Sequence, residues 1–252
     1  MAANPKPPIA RPDWALFLDV DGTLVEIAAA PDAVRVPPEL VALLGRLERG
    51  LGGALALVSG RTIETLDALF SPLRLAAAGN HGLERRPSGG RLFRPAMSSA
   101  IAPVRAAMAA YAGAHDGVVL EDKHLSVALH FRAAPGAGGG AQALAEGLAA
   151  DSDGGLFVQH GKMMVELRPP DGDKGSAIAE FMGEAPFAGR LPVFVGDDVT
   201  DEPGFIAVNA MGGHSIRVGA NGRSSARHVL NDVSSLRSWL KSAAAAMDGA
   251  SG

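Results

Sequence analysis

Short apolar runs that alternate with amphipathic helical stretches constrain this chain most, because that order demands a parallel sheet with helices crossing between its strands. Residues 15–18 read Ala-Leu-Phe-Leu and form the first run. Pro37-Pro38-Glu39 then opens a helical pattern with Leu40, Leu43, Leu44 and Leu47 on one face, closed at Gly50, and Gly53–Ser59 returns to an apolar strand. A second helix is expected from Thr62 to Phe70, stopped by Pro72, followed by a strand at Leu75–Ala78 and the turn Gly79-Asn80-His81-Gly82. Ligands of such sheets gather beyond the carboxyl ends of the strands. Asp19, Ser59 and Asn80-His81 each fall at one of those ends.

The texture changes near residue 95. Met97–Ala114 reads as an alanine-rich helix, Val118–Glu121 and Leu125–Arg132 as paired strands, Ala141–Ala150 as a helix, and Leu156–His160 with Met163–Arg168 as a hairpin turned at Gly161-Lys162. That order suits an α+β module with an antiparallel sheet. Pro135-Gly136-Ala137-Gly138-Gly139-Gly140 lacks the lysine and hydroxyl of a phosphate loop and reads as a flexible connector. From Lys174 the parallel texture returns, with a helix to Met182, a strand at Pro192–Val195 and further elements at Ser215–Val218 and Val233–Met247. The fold class expected is therefore α/β. A flexible leader over 1–12 precedes a sheet domain built from 13–96 and 172–245, an α+β module at 97–171 interrupts it, and 246–252 fray.

With 252 residues, a formal net charge of -4 and a pI near 6.0, the chain has no electrostatic footprint for DNA or anionic lipid, so neither nucleic acid nor membrane is an expected partner. The absence of cysteine removes disulfides, thiolate zinc sites and cysteine nucleophiles, which leaves oxygen or imidazole donors for any metal. No run of eighteen apolar residues is free of charge, glycine and proline, and the proline-rich start has no signal-peptide core. A monomer in the cytoplasm is expected.

The first apolar run ends on Asp19-Val20-Asp21-Gly22-Thr23. In extended backbone residues i and i+2 project to the same side, so both carboxylates can converge on one cation or one reacting group. Alone, the pattern serves an acid-capped strand end equally well. A second acidic cluster, Gly196-Asp197-Asp198-Val199-Thr200-Asp201-Glu202, also follows an apolar strand, and its carboxylates repel one another unless a cation or basic group offsets them. A hard oxygen-bound cation such as Mg²⁺ suits the cluster, and so does the amino-terminus of a helix starting near Thr200. Lys174 opens a helix after Asp173 and can hold an anion there. Ser59-Gly60-Arg61 offers a hydroxyl and backbone amides at a strand end, suited to phosphate oxygens or to an ordinary cap.

Asp19-x-Asp21-Gly22-Thr23, Ser59, Lys174 and Gly196-Asp197-Asp198 resemble, in order and context, the four motifs of the haloacid dehalogenase superfamily of phosphotransferases. A closer resemblance, over roughly residues 15–240, is to trehalose-6-phosphate phosphatases. It rests on Gly79-Asn80-His81-Gly82-Leu83-Glu84, Glu121-Asp122-Lys123, His130-x-Arg132, Gly161-Lys162-x-x-x-Glu166-x-Arg168-Pro169 and the run Gly196 to Glu202. Pro203, where a polar residue is expected, and the glycines at 136–140 depart from the pattern.

The resemblance implies a Rossmann-like core with helices on both faces and an inserted α+β cap. It implies that Asp19 is the nucleophile, ionised at its ordinary pKa, and that Asp21 is general acid and then base. Thr23, Ser59, Gly60 and Lys174 would bind the phosphoryl group. Asp19, the backbone carbonyl of Asp21, Asp197 and Asp198 would hold Mg²⁺. Asn80, His81, Glu121, Lys123, His130, Arg132, Lys162 and Glu166 would meet a phosphosugar. Phosphatases of sucrose phosphate or mannosyl-phosphoglycerate, and a non-catalytic phosphosugar-binding regulator, are the alternatives.

Overall fold

The computed structural model describes residues 5–28, 30–219 and 222–250. Its elements in chain order are β1 (Trp14–Leu18), α1 (Pro38–Gly50), β2 (Leu55–Val58), α2 (Ile63–Phe70), β3 (Ala76–Gly79) and β4 (Glu84–Arg86). Then come α3 (Ile101–Ala114), β5 (Val119–Asp122), β6 (Val127–His130), α4 (Gly138–Ala150), β7 (Phe157–Gly161) and β8 (Met164–Arg168). The chain closes with α5 (Lys174–Met182), β9 (Leu191–Gly196), α6 (Glu202–Ala210), β10 (His214–Val218), β11 (His228–Leu230) and α7 (Val233–Ala250).

Two compact units result. Residues 1–27, 35–94 and 173–252 form one, and residues 28–34 and 95–172 form the other. In the first, a seven-stranded sheet runs β11-β10-β9-β1-β2-β3-β4, parallel throughout except for β4, which pairs antiparallel with β3. β1 is central and buried along its whole length, which is why it reads as a continuous apolar run rather than an alternating one. Its period of two still sorts side chains between the faces. Trp14 meets Trp239 of α7 at 6.5 Å between ring centroids, whereas Phe17 meets Phe181 of α5 at 5.9 Å, so helices cover both faces.

Helix starts follow local chemistry. Pro37 and Pro38 open α1 where an amide would have no partner, Thr62 caps α2 by accepting from the Thr65 amide, and Asp173 with Ser176 closes a capping box on α5. Pro203, a departure in sequence, occupies the first turn of α6, where a missing amide costs nothing. The edge strands β4 and β11 have no expectation to match, because three-residue strands carry too little pattern.

The second unit is a four-stranded antiparallel sheet, β5-β6-β8-β7, with α3 and α4 on one face. Ile101, Val104 and Met108 of α3 and Ala141 and Ala145 of α4 bury against Val127, Leu129, Val165 and Leu167. The glycine-rich stretch is not a flexible connector. Pro135–Ala137 is a 3₁₀ turn, and α4 starts three residues earlier than expected, at Gly138. A Cβ at Gly138 would lie 2.8 Å from the Phe131 ring, and one at Gly140 2.4 Å from the Tyr111 hydroxyl. Close packing selects these glycines against a helix-propensity cost of about 1 kcal/mol each.

The chain termini are also more ordered than the sequence suggests. Over residues 5–12, Pro7 and Ala10 are buried, Trp239 Nε1 donates to the Pro8 carbonyl at 2.9 Å, and the Pro5 carbonyl lies 3.1 Å from His228 Nδ1. Helix α7 continues to Ala250, so most of the tail expected to fray is helical. No helix among the described residues is long and apolar enough to cross a membrane.

Candidate active site

Asp19 leaves the carboxyl end of β1 with its amide bonded to the Val195 carbonyl of β9, which fixes the residue between two strand ends. The chain then turns at Gly22 in a left-handed conformation, φ 82°, with the Gly22 amide donating to the Val25 carbonyl at 2.7 Å. A Cβ there would lie 2.3 Å from Asp197 Oδ2, so this glycine serves both the turn and the approach of the second acidic segment. Thr23, fully buried, points its hydroxyl at Asp19 Oδ2, 3.2 Å away, with Asp197 Oδ1 at 3.4 Å.

Lys174 is the first residue of α5. Its Nζ donates to Asp19 Oδ1 at 2.8 Å and to Asp201 Oδ1 at 2.6 Å. The other carboxylate oxygen of Asp201 accepts the amides of Asp197 and Asp198 at 2.8 and 2.9 Å. A Cβ at Gly196 would meet the Asp201 carboxyl carbon at 2.3 Å, which accounts for the glycine that opens the acidic run. Asp201 is therefore the clamp that shapes the loop and seats Lys174. Sequence reasoning missed this role, whose signal was the four-residue spacing from Asp197 behind a glycine.

Carboxylate oxygens of Asp19, Asp197 and Asp201 lie within 4.8 Å of one another, and all three residues are buried. Burial pushes the Asp19 carboxyl well above the usual carboxylate range, Asp201 and Asp197 push it the same way, and Lys174 opposes them. The expectation that Asp19 keeps an ordinary pKa therefore does not hold for the site without a cation. Burial alone would pull the Lys174 ammonium down, but Asp19 and Asp201 outweigh it and hold it above its ordinary value. Carboxylates remain in excess over the single ammonium, and every donor is a hard oxygen. That set fits a divalent cation of the Mg²⁺ class.

Asp21 is turned to another partner. Arg61 grips it in a fork, Nε to Oδ2 at 2.6 Å and Nη2 to Oδ1 at 2.8 Å. Arg61 follows Ser59 and Gly60 at the end of β2, and its amide donates to Ser59 Oγ at 3.2 Å. Ser59 is buried, and Gly60 carries the His81 imidazole, which would sit 2.5 Å from a Cβ at that position. Asp198 is half-buried and caps the following turn, accepting from the Val199 amide at 2.7 Å.

Asn80 is enclosed, its side-chain amide directed at Glu84 Oε1 at 3.3 Å. That oxygen also accepts the Ile63 amide at 2.8 Å, and Glu84 Oε2 accepts from Arg94 at 2.9 Å. The Gly79-to-Glu84 motif thus anchors the amino-terminus of α2. A Cβ at Gly79 would lie 2.6 Å from Glu84 Oε1.

The remaining sequence-selected residues lie in the second unit. Glu166 is fully buried, bonded to Lys123 Nζ at 2.7 Å and Ser126 Oγ at 2.5 Å. His130 Nε2 meets Glu121 Oε2 at 2.8 Å, and Lys123 Nζ lies 3.8 Å from the same oxygen. Burial pushes the Glu121 carboxyl up, yet Lys123 and His130 outweigh it and leave it below the usual range. Arg132 donates to the Lys162 carbonyl at 3.0 Å, and the Lys162 side chain is exposed in the β7–β8 turn.

This arrangement supplies a buried carboxylate, an ammonium beside it, a cluster of hard oxygen donors and a second carboxylate two residues on. The trehalose-phosphatase family model matches residues 17–235. A probable trehalose-phosphate phosphatase of Sinorhizobium fredii is 47% identical over 207 residues, covering 82% of this chain and 78% of that protein. The trehalose-6-phosphate phosphatase of Escherichia coli is 42% identical over 229 residues, 90% and 85% of the two chains. The solved C-terminal domain of the Candida albicans trehalose-6-phosphate phosphatase superposes with a TM-score of 0.81 at 21% identity, covering 92% of this chain and 93% of that one, a likeness of fold. Motif geometry and sequence similarity agree, and the chain belongs to the trehalose-phosphatase family.

Proposed function

We propose that the protein hydrolyses trehalose 6-phosphate to trehalose and phosphate through an aspartyl-phosphate. The observation that carries this reading is the meeting of Asp19, Lys174 and Asp197 from three distant segments at the end of β1. Asp19 attacks phosphorus with one carboxylate oxygen, and the bond from phosphorus to the sugar oxygen breaks. Asp21 donates a proton to that departing oxygen. It then takes a proton from the water that attacks phosphorus, and the bond between phosphorus and Asp19 breaks to release phosphate. Lys174, Thr23, Ser59 and the Gly60 amide hold the phosphoryl oxygens. Such positioning and charge stabilisation provide most of the acceleration in phosphoryl transfer.

Asp19, Asp197 and the Asp21 carbonyl would hold Mg²⁺, with Asp198 in support. When bound, the cation supplies neutralisation of the carboxylate excess and of the substrate's phosphate charge. Glu121, Lys123, His130, Arg132, Lys162, Glu166 and His81 serve the sugar. A disaccharide offers hydroxyls and no charge beyond its phosphate, so paired donors and acceptors suit its recognition. The test is phosphate release from a panel of sugar phosphates with and without Mg²⁺. Turnover strongest on trehalose 6-phosphate and dependent on the cation is expected. Stronger turnover of sucrose phosphate or mannosyl-phosphoglycerate would move the assignment to those substrates.

A further inference from the structure

One face of the four-stranded sheet in the second unit is apolar and covered by α3 and α4, and the other is polar. Strand alternation assigns the side chains. Val127, Leu129, Val165 and Leu167 go to the covered face, so Glu166 and Arg168 go to the polar one. Gln159 of β7 pairs directly with Glu166 of β8, and Phe157 pairs with Arg168, so both β7 side chains join the polar face. The Arg168 guanidinium lies over the Phe157 ring, 4.5 Å from its centroid, which confirms the side.

Each charged group of that face has a partner within the unit. Glu166 has Lys123 and Ser126, Glu121 has His130 and Lys123, and Arg168 donates to the carbonyls of Pro169 and Gly172. Gln159 differs from them. It is half-buried, and its side-chain amide has no hydrogen-bond partner among the described residues. β7 is one of the two outer strands of its sheet, and the half-buried Gln159 keeps part of its surface exposed.

We propose that Gln159 is a specificity-determining residue whose side-chain amide hydrogen-bonds a hydroxyl of the sugar leaving group. This rests on the trehalose 6-phosphate reading above. A sugar hydroxyl both donates and accepts, and a carboxamide offers both roles without a charge to desolvate. Next to a carboxylate and an ammonium that neutralise each other, a neutral amide discriminates by geometry rather than by charge. Its loss leaves a hydroxyl unpaired against a partly buried wall, the situation in which a binding site discriminates.

The test is steady-state phosphate release by wild type, Gln159→Leu and Gln159→Ala, with Mg²⁺ saturating, on trehalose 6-phosphate and on p-nitrophenyl phosphate. We expect kcat/KM for trehalose 6-phosphate to fall about tenfold in both variants, mostly through KM, with p-nitrophenyl phosphate changed by less than about twofold. Retained turnover of the small ester shows that the fold and the phosphoryl site survive. Equal losses on the two substrates, or no loss on trehalose 6-phosphate, would overturn the assignment. Absence of wild-type turnover on trehalose 6-phosphate with turnover of the small ester would instead remove the substrate reading, and this inference with it.

Discussion

Arg61, a residue only 8% exposed, holds Asp21 through two parallel hydrogen bonds, 2.6 and 2.8 Å long. The proposed proton donor is thus oriented by a residue on the neighbouring strand end. Arg61→Met is expected to reduce kcat at least tenfold, part of the factor of about 10²–10⁴ that a positioned proton-transfer group provides. Arg61→Lys should rescue little, because an ammonium cannot make the paired contact. An unchanged kcat would show that the fork is structural.

Asp19→Asn should abolish phosphate release, with a loss above about 10³-fold, while circular dichroism stays that of wild type. The side chain remains similar in size, and Lys174 keeps its bond to Asp201. Retention of more than a small fraction of activity refutes the nucleophile assignment.

Asp201→Ala is the stability counterpart. It removes the Lys174 contact and the acceptor for the amides of Asp197 and Asp198 at once. Breaking a buried ion pair on one side costs about 3–5 kcal/mol, so chemical denaturation should show a loss of that size. A loss under about 1 kcal/mol would place the clamp in bulk-like solvent and contradict its burial.

Lys162→Ala should damage turnover of trehalose 6-phosphate far more than turnover of p-nitrophenyl phosphate, because its exposed ammonium sits in the β7–β8 turn of the second unit. The ratio of the two kcat/KM values is the measurement. Equal losses would remove Lys162 from substrate recognition.

Stability should fall in mild acid because of a histidine pair at the sheet edge. Burial lowers the His214 pKa, and the charges of His228 and Arg227 push it the same way. His214 Nδ1 lies 3.3 Å from His228 Nε2, and its ring packs on Trp14 at 5.2 Å. The unfolded chain therefore binds this proton more readily than the folded one. The contribution is complete above about pH 6.5, the unfolded value, and is lost as pH falls below it toward the lower folded value. The melting temperature should drop between pH 7.5 and 5.5, and His214→Asn should flatten that drop. A difference between variant and wild type that stays constant over the range rules out this linkage.

Local chemistry wrote much of the fold into the chain. Continuous apolar runs named the buried parallel strands, and prolines, Thr62 and Asp173 marked where helices start. Helix α5 was legible to the residue, because Lys174 follows a capping aspartate and Gly183 follows Met182. The two acidic clusters were legible as chemistry, since carboxylates crowded at strand ends repel one another unless a cation or basic group offsets them. What stayed hidden depends on partners far away in the chain. The glycines at 138 and 140 read as slack until Phe131 and Tyr111 are packed against them.

Sequence by itself thus determined the alternating layers, the strand ends that carry the reactive groups, and the family to which they belong. Only the tertiary structure decided which carboxylates share a site. Asp201 joins Asp19 and Asp197 in a buried acidic group because two backbone amides and Lys174 converge on it, and Arg61 claimed Asp21 across forty residues. Spacing fixes which neighbours a residue can meet within a strand or turn. Hydrogen-bond satisfaction in a desolvated interior selects among partners that only folding brings within reach.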